Sequence, residues 1–97
     1  MDLEWDEEKR QKNLRERGLD FADADRMDLS ASFTILDARR DYQEDRFVSY
    51  GFIDGRLHVM CWTQRDDRMR IISLRKANDR EQKAFAGLAG PSSPSDG

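Results

Sequence analysis

The side chains best suited to chemistry on an anion lie near the C-terminal end of this sequence. Arg75 and Lys76 close the β-prone run Arg70-Ile71-Ile72-Ser73-Leu74 and stand just before a helix start at Asn78, a common place for a phosphate contact. A planar guanidinium holds phosphate oxygens in a two-pronged fork, which an ammonium cannot do. Charge is distributed to match: residues 61–89 hold four acids and seven bases, whereas residues 1–30 hold ten acids and six bases, on a chain of formal net charge −3. A basic stretch on an acidic protein suggests a local anion site rather than general adhesion to nucleic acid. The plainer alternative is a solvated strand and helix surface. Arg75 has a second reading as the partner of an acid such as Glu81, and Lys76 as a solvated lysine flanking a helix. His58, the single histidine, is the one group ready for acid–base work near neutral pH; otherwise it is a half-buried strand histidine. Ser73 reads as a small strand residue rather than a nucleophile. The sequence has no Gly-rich phosphate loop, nucleophile elbow or metal-ligand spacing. One cysteine and one histidine argue against structural zinc, so no metal and no cofactor are expected.

The elements that must carry these groups follow from spacing. Leu3 and Trp5 fall on one side of a short strand at Asp2–Trp5. Asp6 is an N-cap with Glu7 and Glu8 in the first turn, and Gly18 suits the position after the last turn, so a surface helix runs to Arg17. Asp20 starts a second helix with Phe21, Ala24 and Met27 on its buried side. Ser30–Leu36 is strand-like, and Asp37–Asp45, nearly all polar, is an exposed loop. Asp54-Gly55 between apolar runs is a two-residue hairpin turn, which pairs Ile53 with Arg56, Phe52 with Leu57, Gly51 with His58, Tyr50 with Val59 and Val48 with Cys61. A second turn falls at Gln64–Asp67; with an even loop, Val59 shares a face with Ile72, and His58 with Ser73.

The sheet then sorts into two faces. Val48, Tyr50, Phe52, Leu57, Val59, Cys61, Ile72 and Leu74 form the expected core. Phe47, Ser49, Gly51, Arg56, His58, Met60, Trp62, Ile71, Ser73 and Arg75 form a mixed face for a ligand or partner. Asn78 and Glu81 make a capping box for a closing helix to about Leu88. The whole is an α+β domain over residues 1–89, with an antiparallel meander, two N-terminal helices and one C-terminal helix; residues 90–97 read as a disordered Gly/Pro/Ser tail. A chain of 97 residues with 37% hydrophobic content supports one modest core. No apolar run approaches a membrane span and the acidic N-terminus is no secretory signal, so a reducing cytoplasmic location is expected.

Several of these segments line up with a known family. Glu4-Trp5-Asp6, Lys9, Asn13-Leu14, Gly18-Leu19-Asp20-Phe21-Ala22, Glu44-Asp45-Arg46-Phe47 and Arg70-Ile71-Ile72-Ser73-Leu74-Arg75-Lys76-Ala77, followed by Arg80-Glu81, together resemble the BrnT family of bacterial type II toxins. The likeness spans about residues 3–86. It departs at Glu16-Arg17, where the family usually has Lys-His, and at Phe85, where it often has Tyr.

The resemblance implies a RelE-like fold and a ribonuclease that inhibits translation. It implies neutralisation by a BrnA-type ribbon-helix-helix antitoxin, through which the toxin meets DNA only indirectly. Cleaving RNA without a metal requires deprotonating a 2′-hydroxyl, stabilising the phosphorane and protonating the 5′-oxygen. On this reading Arg46, Arg70, Arg75 and Lys76, the cations at motif positions, are the catalytic candidates, and Arg75, Lys76, His58 and Arg17 the RNA-binding ones. Arg70 has an alternative as an ion pair with Glu4 or Glu44, and Arg46 shares that ambiguity. Phe47, Met60 and Trp62 either stack bases or form an apolar patch that a partner covers. The second reading of the whole chain is a catalytically weak antitoxin-binding module.

Overall fold

A computed structural model describes residues 2–37 and 44–89. The elements are β1 (Asp2–Trp5), α1 (Glu7–Arg17), a 3-10 helix at Phe21–Arg26, a second at Leu29–Ala31, β2 (Phe33–Leu36), β3 (Arg46–Ile53), β4 (Arg56–Arg65), β5 (Arg68–Lys76) and α2 (Asp79–Ala89). Of the exposed loop expected at Asp37–Asp45, residues 38–43 lie outside the described residues, as does the tail at 90–97, and Asp37 is buried rather than exposed. The five strands form one sheet in the order β1-β5-β4-β3-β2.

Local chemistry sets most boundaries where the sequence puts them. The Asp6 carboxylate accepts from the Glu8 N–H at 2.9 Å and the Lys9 N–H at 3.4 Å, and Gly18 ends α1 at φ 70°, the left-handed conformation that glycine adopts without a Cβ penalty. Two expectations change. Residues 21–26 form a 3-10 helix rather than an α-helix. The segment is short and pinned at its start: Asp20 caps the Ala22 N–H at 2.9 Å, and Arg10 of α1 grips the same carboxylate at 2.9 and 3.0 Å. The strand expected from Ser30 begins only at Phe33, because Asp28 accepts from both the N–H and the hydroxyl of Ser30 and folds that stretch into a turn.

The sheet is mixed, not an antiparallel meander alone. β1 pairs in parallel with β5, setting Leu3 beside Met69 and Trp5 beside Ile71. β1 ends there, yet the edge of β5 continues. Asn13 of α1 takes over: its side-chain amide donates to the Leu74 carbonyl at 2.9 Å and accepts from the Leu74 N–H at 3.4 Å, and it also donates to the Leu19 carbonyl at 3.0 Å. A side chain thus completes the ladder where the strand has run out.

The first hairpin has the register that Asp54-Gly55 predicts, pair for pair, with both turn residues at positive φ, 50° and 80°. The second hairpin starts evenly, with Arg65 opposite Arg68 and Thr63 opposite Arg70, but a β-bulge intervenes: Trp62 faces Ile71 and Cys61 faces Ser73. Ile72 is the extra residue. Val59 therefore faces Arg75, and Met60 faces Leu74. The expected face assignment is corrected here. Leu74 sits with Met60 and Ile71, and Ser73 and Arg75 move to the face of Val48, Tyr50, Val59 and Cys61.

The main core also lies on the other face from the one expected. Met60, Ile71 and Leu74 pack there with Met69, Ile53 and the 3-10 residues Phe21, Ala24 and Met27, flanked by Leu3, Trp5, Leu19 and Trp62. Small residues on this face make room for the cover. A Cβ on Gly51 would stand 2.7 Å from the Met27 Cγ and 3.3 Å from the Ser32 Cβ. Ser49 is wholly buried; its hydroxyl accepts from the Trp62 indole at 2.8 Å and shares a hydrogen bond with Thr34 at 2.7 Å. A second, smaller cluster of Leu57, Val59, Ala77 and Phe85, with Val48 and Tyr50 against it, lies under α2.

Two substitutions test this packing by urea unfolding. Gly51→Ala should destabilise by about 1–3 kcal/mol through overpacking. Asn13→Ala should cost about 1–3 kcal/mol by leaving the Leu74 amide and carbonyl unpaired. An unchanged midpoint for either would refute the role given to that residue.

Candidate functional site

The bulge at Ile72 determines which cations share a surface. Arg46 and Arg70 both stand opposite Thr63, while Arg75 stands opposite Val59, which in turn faces Tyr50. Arg46, Arg70 and Arg75 thus share the sheet face that carries Val48, Tyr50, Cys61 and Ser73. α2 covers only one end of this face, through Phe85, whose ring meets Phe52 edge-on at 5.5 Å. The rest is an open groove of about 460 Å³, with Val48, Tyr50 and Cys61 among its sheet residues, Ile35, Leu36 and Asp37 on one side, and Arg75 and Glu81 on the other.

Arg75 and Glu81 dominate the electrostatics of the groove. Both terminal guanidinium nitrogens donate to the two carboxylate oxygens at 2.7 Å. Hydrogen bonding from Arg75, opposed by partial burial and helped by the Asn78 N–H, lowers the Glu81 pKa from 4.5 to about 2. The same hydrogen bonds, against a smaller desolvation effect, raise the Arg75 pKa, with the Tyr50 hydroxyl also within electrostatic reach. Glu81 also pairs with Asn78 to close the expected capping box, at 2.9 and 2.8 Å. One carboxylate therefore starts α2 and anchors the groove's arginine. Arg70 bonds Glu4 at 3.0 Å, and Arg46 lies 3.8 Å from Glu44. Each of the three arginines on this face has a carboxylate beside it.

The remaining candidates separate. Lys76 and His58 pair with each other across the strands on the opposite face, where both line a cavity with Arg26, Arg56 and Asp54. His58 is buried there, with Nδ1 2.7 Å from the Arg56 carbonyl. Arg75 and Lys76 therefore cannot grip one phosphate from the same side. Arg17 lines a separate cavity between α1 and β5. Met60 is 1% exposed and belongs to the core, so it presents no surface to a partner. Phe47 and Trp62 stack at 4.8 Å and remain half-buried. Asp37 and Tyr50 are groove residues that sequence pattern alone does not reveal. Tyr50 sits in an alternating apolar run that reads as core, and Asp37 follows β2 at the start of a polar stretch. Among the described residues, no three His, Cys, Asp or Glu side chains gather to hold a metal ion.

The family model described as "Ribonuclease toxin, BrnT, of type II toxin-antitoxin system" matches residues 5–81. The chain belongs to the BrnT family. The family is one of ribonuclease toxins, and a toxin of a type II system has an antitoxin partner. No curated protein matches the chain. The BrnT match opens at Trp5 in β1 and closes at Glu81, so it takes in every residue that lines the groove. No helix among the described residues is long and apolar enough to cross a membrane.

The Arg75–Glu81 pair makes a pH-dependent contribution to stability. Glu81 has its pKa lowered on folding, so the contribution is complete above the unfolded value of 4.5 and disappears as pH falls toward about 2. Because Arg75 is partly open to solvent, the pair is worth about 0.5–1 kcal/mol. Glu81→Gln keeps the helix cap but loses the charge. Its stability deficit should be complete at pH 7 and shrink steadily as pH falls from 4.5 toward 2; a deficit of constant size across that range would show that the charge is not its source.

Proposed function

We propose that this BrnT-family chain is a RelE-like endoribonuclease that cleaves RNA without a metal, inhibits translation, and is neutralised by a BrnA-type ribbon-helix-helix antitoxin. The observation that carries the reading is the gathering of Arg46, Arg70 and Arg75 on the groove face by the β5 bulge, within a chain of a ribonuclease toxin family. In the reaction, the substrate 2′-oxygen bonds to phosphorus as the bond to the 5′-oxygen breaks. The 2′-proton leaves to a base and the 5′-oxygen gains one, so the first product is a cyclic phosphate. Arg75 stabilises the charge on the non-bridging oxygens. A guanidinium has five N–H donors, and two salt-bridge contacts to Glu81 leave others for a phosphate. Arg70 and Arg46 add positive potential along the same face. The antitoxin would cover the stacked Phe47 and Trp62, whose rings suit a partner surface.

Cleavage of RNA by the purified chain should persist in excess EDTA and yield cyclic phosphate ends. Arg75→Ala should lower kcat by about 10²-fold or more, the scale for loss of one charge-stabilising donor. Lys76→Ala, which alters the opposite face, should cost less than tenfold. Activity that disappears with chelator, or an Arg75→Ala variant that cleaves normally, would overturn the reading.

The carboxylate beside each arginine of this face, together with Glu16-Arg17 in place of the family's Lys-His, favours a second reading: a catalytically weak module that binds antitoxin and tunes operon repression. Expression of the chain alone in a bacterium separates the two. Growth arrest supports the enzyme; normal growth with retained antitoxin binding supports the module.

A further inference from the structure

Among the described residues, α1 carries cations that the fold leaves without partners, as are Lys76 of β5 and Arg80 and Lys83 of α2. Lys9, Lys12 and Glu16 recur at helical spacing and, with Arg17, form one wall of a cavity of about 240 Å³ whose other wall is Ile72 and Ser73 of β5. Ser73 also lines the groove that contains Arg75, so the two concavities meet at a single side chain. Among the described residues, no side chain of Lys9, Lys12 or Arg17 takes part in an ion pair or hydrogen bond. Glu16 is the one carboxylate among three cations in this cavity. The arginines of the groove face each sit beside a carboxylate, whereas these three cations outnumber the single Glu16 of their cavity.

We infer that α1 is a phosphate-binding wall, on which Lys9, Lys12 and Arg17 hold backbone phosphates of single-stranded RNA flanking the phosphate at Arg75. The inference rests on the ribonuclease reading and extends its site beyond the scissile bond. Eight residues of helix separate Lys9 from Arg17, about 12 Å at 1.5 Å per residue, enough for more than one phosphate. Lysine is a point charge on a flexible stem, so contacts of this kind hold the strand without reading its bases. Ser73, small and shared by both concavities, lets the strand pass from the wall to the groove. A larger side chain at that position would stand in the path.

The test is binding of a fully 2′-O-methylated single-stranded RNA of about twelve nucleotides, which cannot undergo 2′-hydroxyl attack, to the full chain over a range of salt. Fluorescence anisotropy gives the slope of log affinity against log salt. Each phosphate contact on a single strand contributes about 0.7 to that slope, so the double variant Lys9→Gln, Lys12→Gln should lower it by about 1.4. The variant Lys9→Arg, Lys12→Arg should restore the wild-type slope. An unchanged slope in the glutamine variant overturns the inference. So does a selective loss of affinity for a poly-glutamate peptide with RNA binding intact, which would give these cations to an acidic protein segment instead. If the wild-type chain leaves ordinary RNA uncut, the ribonuclease reading fails, while the salt slope still decides whether α1 binds phosphates.

Discussion

The make-up of both sheet faces depends on one irregular residue. Ile72 is the extra member of β5 opposite Cys61 and Trp62. Side chains alternate strictly along a regular strand, so a single inserted residue reverses every later assignment. Without the bulge, Arg75 would point with Met60 and Ile71 into the core cover, and Leu74 would point into the groove. With it, Arg70 before the insertion and Arg75 after it share a face, and Leu74 is wholly buried. The same strand both fills the core and arms the groove because its register is interrupted part-way along.

That division requires unequal covering of the two faces. The core face is covered by the 3-10 helices, which come close because Ser49 and Gly51 are small. The groove face is covered only at one end by α2. The connection between these halves is polar. Asn13 satisfies the edge of β5 from α1, and Glu81 ties the start of α2 to Arg75. Both are short side chains that replace a missing stretch of backbone pairing or fix a helix start, and both sit beside a concavity. The polar groups that complete the fold thus also form the walls of the site.

Electrostatics distinguishes the arginines of the groove face from the cations of the α1 cavity. Arg46, Arg70 and Arg75 lie beside carboxylates, so their positions are fixed by the fold and their charge is partly offset. A phosphate bound at Arg75, as proposed, would share the guanidinium with Glu81 or displace it. The ammonium groups of α1 carry no such restraint. Fixed arginines suit a defined geometry at a reacting phosphate, and unrestrained lysines suit the adaptable holding of a strand. The groove of Arg75 and the cavity of Lys9, Lys12 and Arg17 adjoin at Ser73.

Much of this architecture was legible from local chemistry. The Asp6 and Asn78 caps, Gly18, the Asp54-Gly55 turn and the register of its hairpin all depend on residues a few positions apart, and all occur as the sequence indicates. The family likeness was carried by motifs of the same local kind. The faces were not legible, because they depend on contacts distant in sequence. Polar Ser49, His58 and small Gly51 are unlike core residues in type, yet they are buried, with Gly51 under Met27. The bulge at Ile72 leaves no mark in composition, since Ile-Ile-Ser suits either register. The parallel docking of β1 and the role of Asn13 likewise join residues about sixty positions apart. The sequence by itself therefore determined the caps, the hairpin turn, most element boundaries and the family, because capping and turn formation are short-range. Only the tertiary structure decided which side of the sheet is core and which arginines meet, because that follows from what packs against each face.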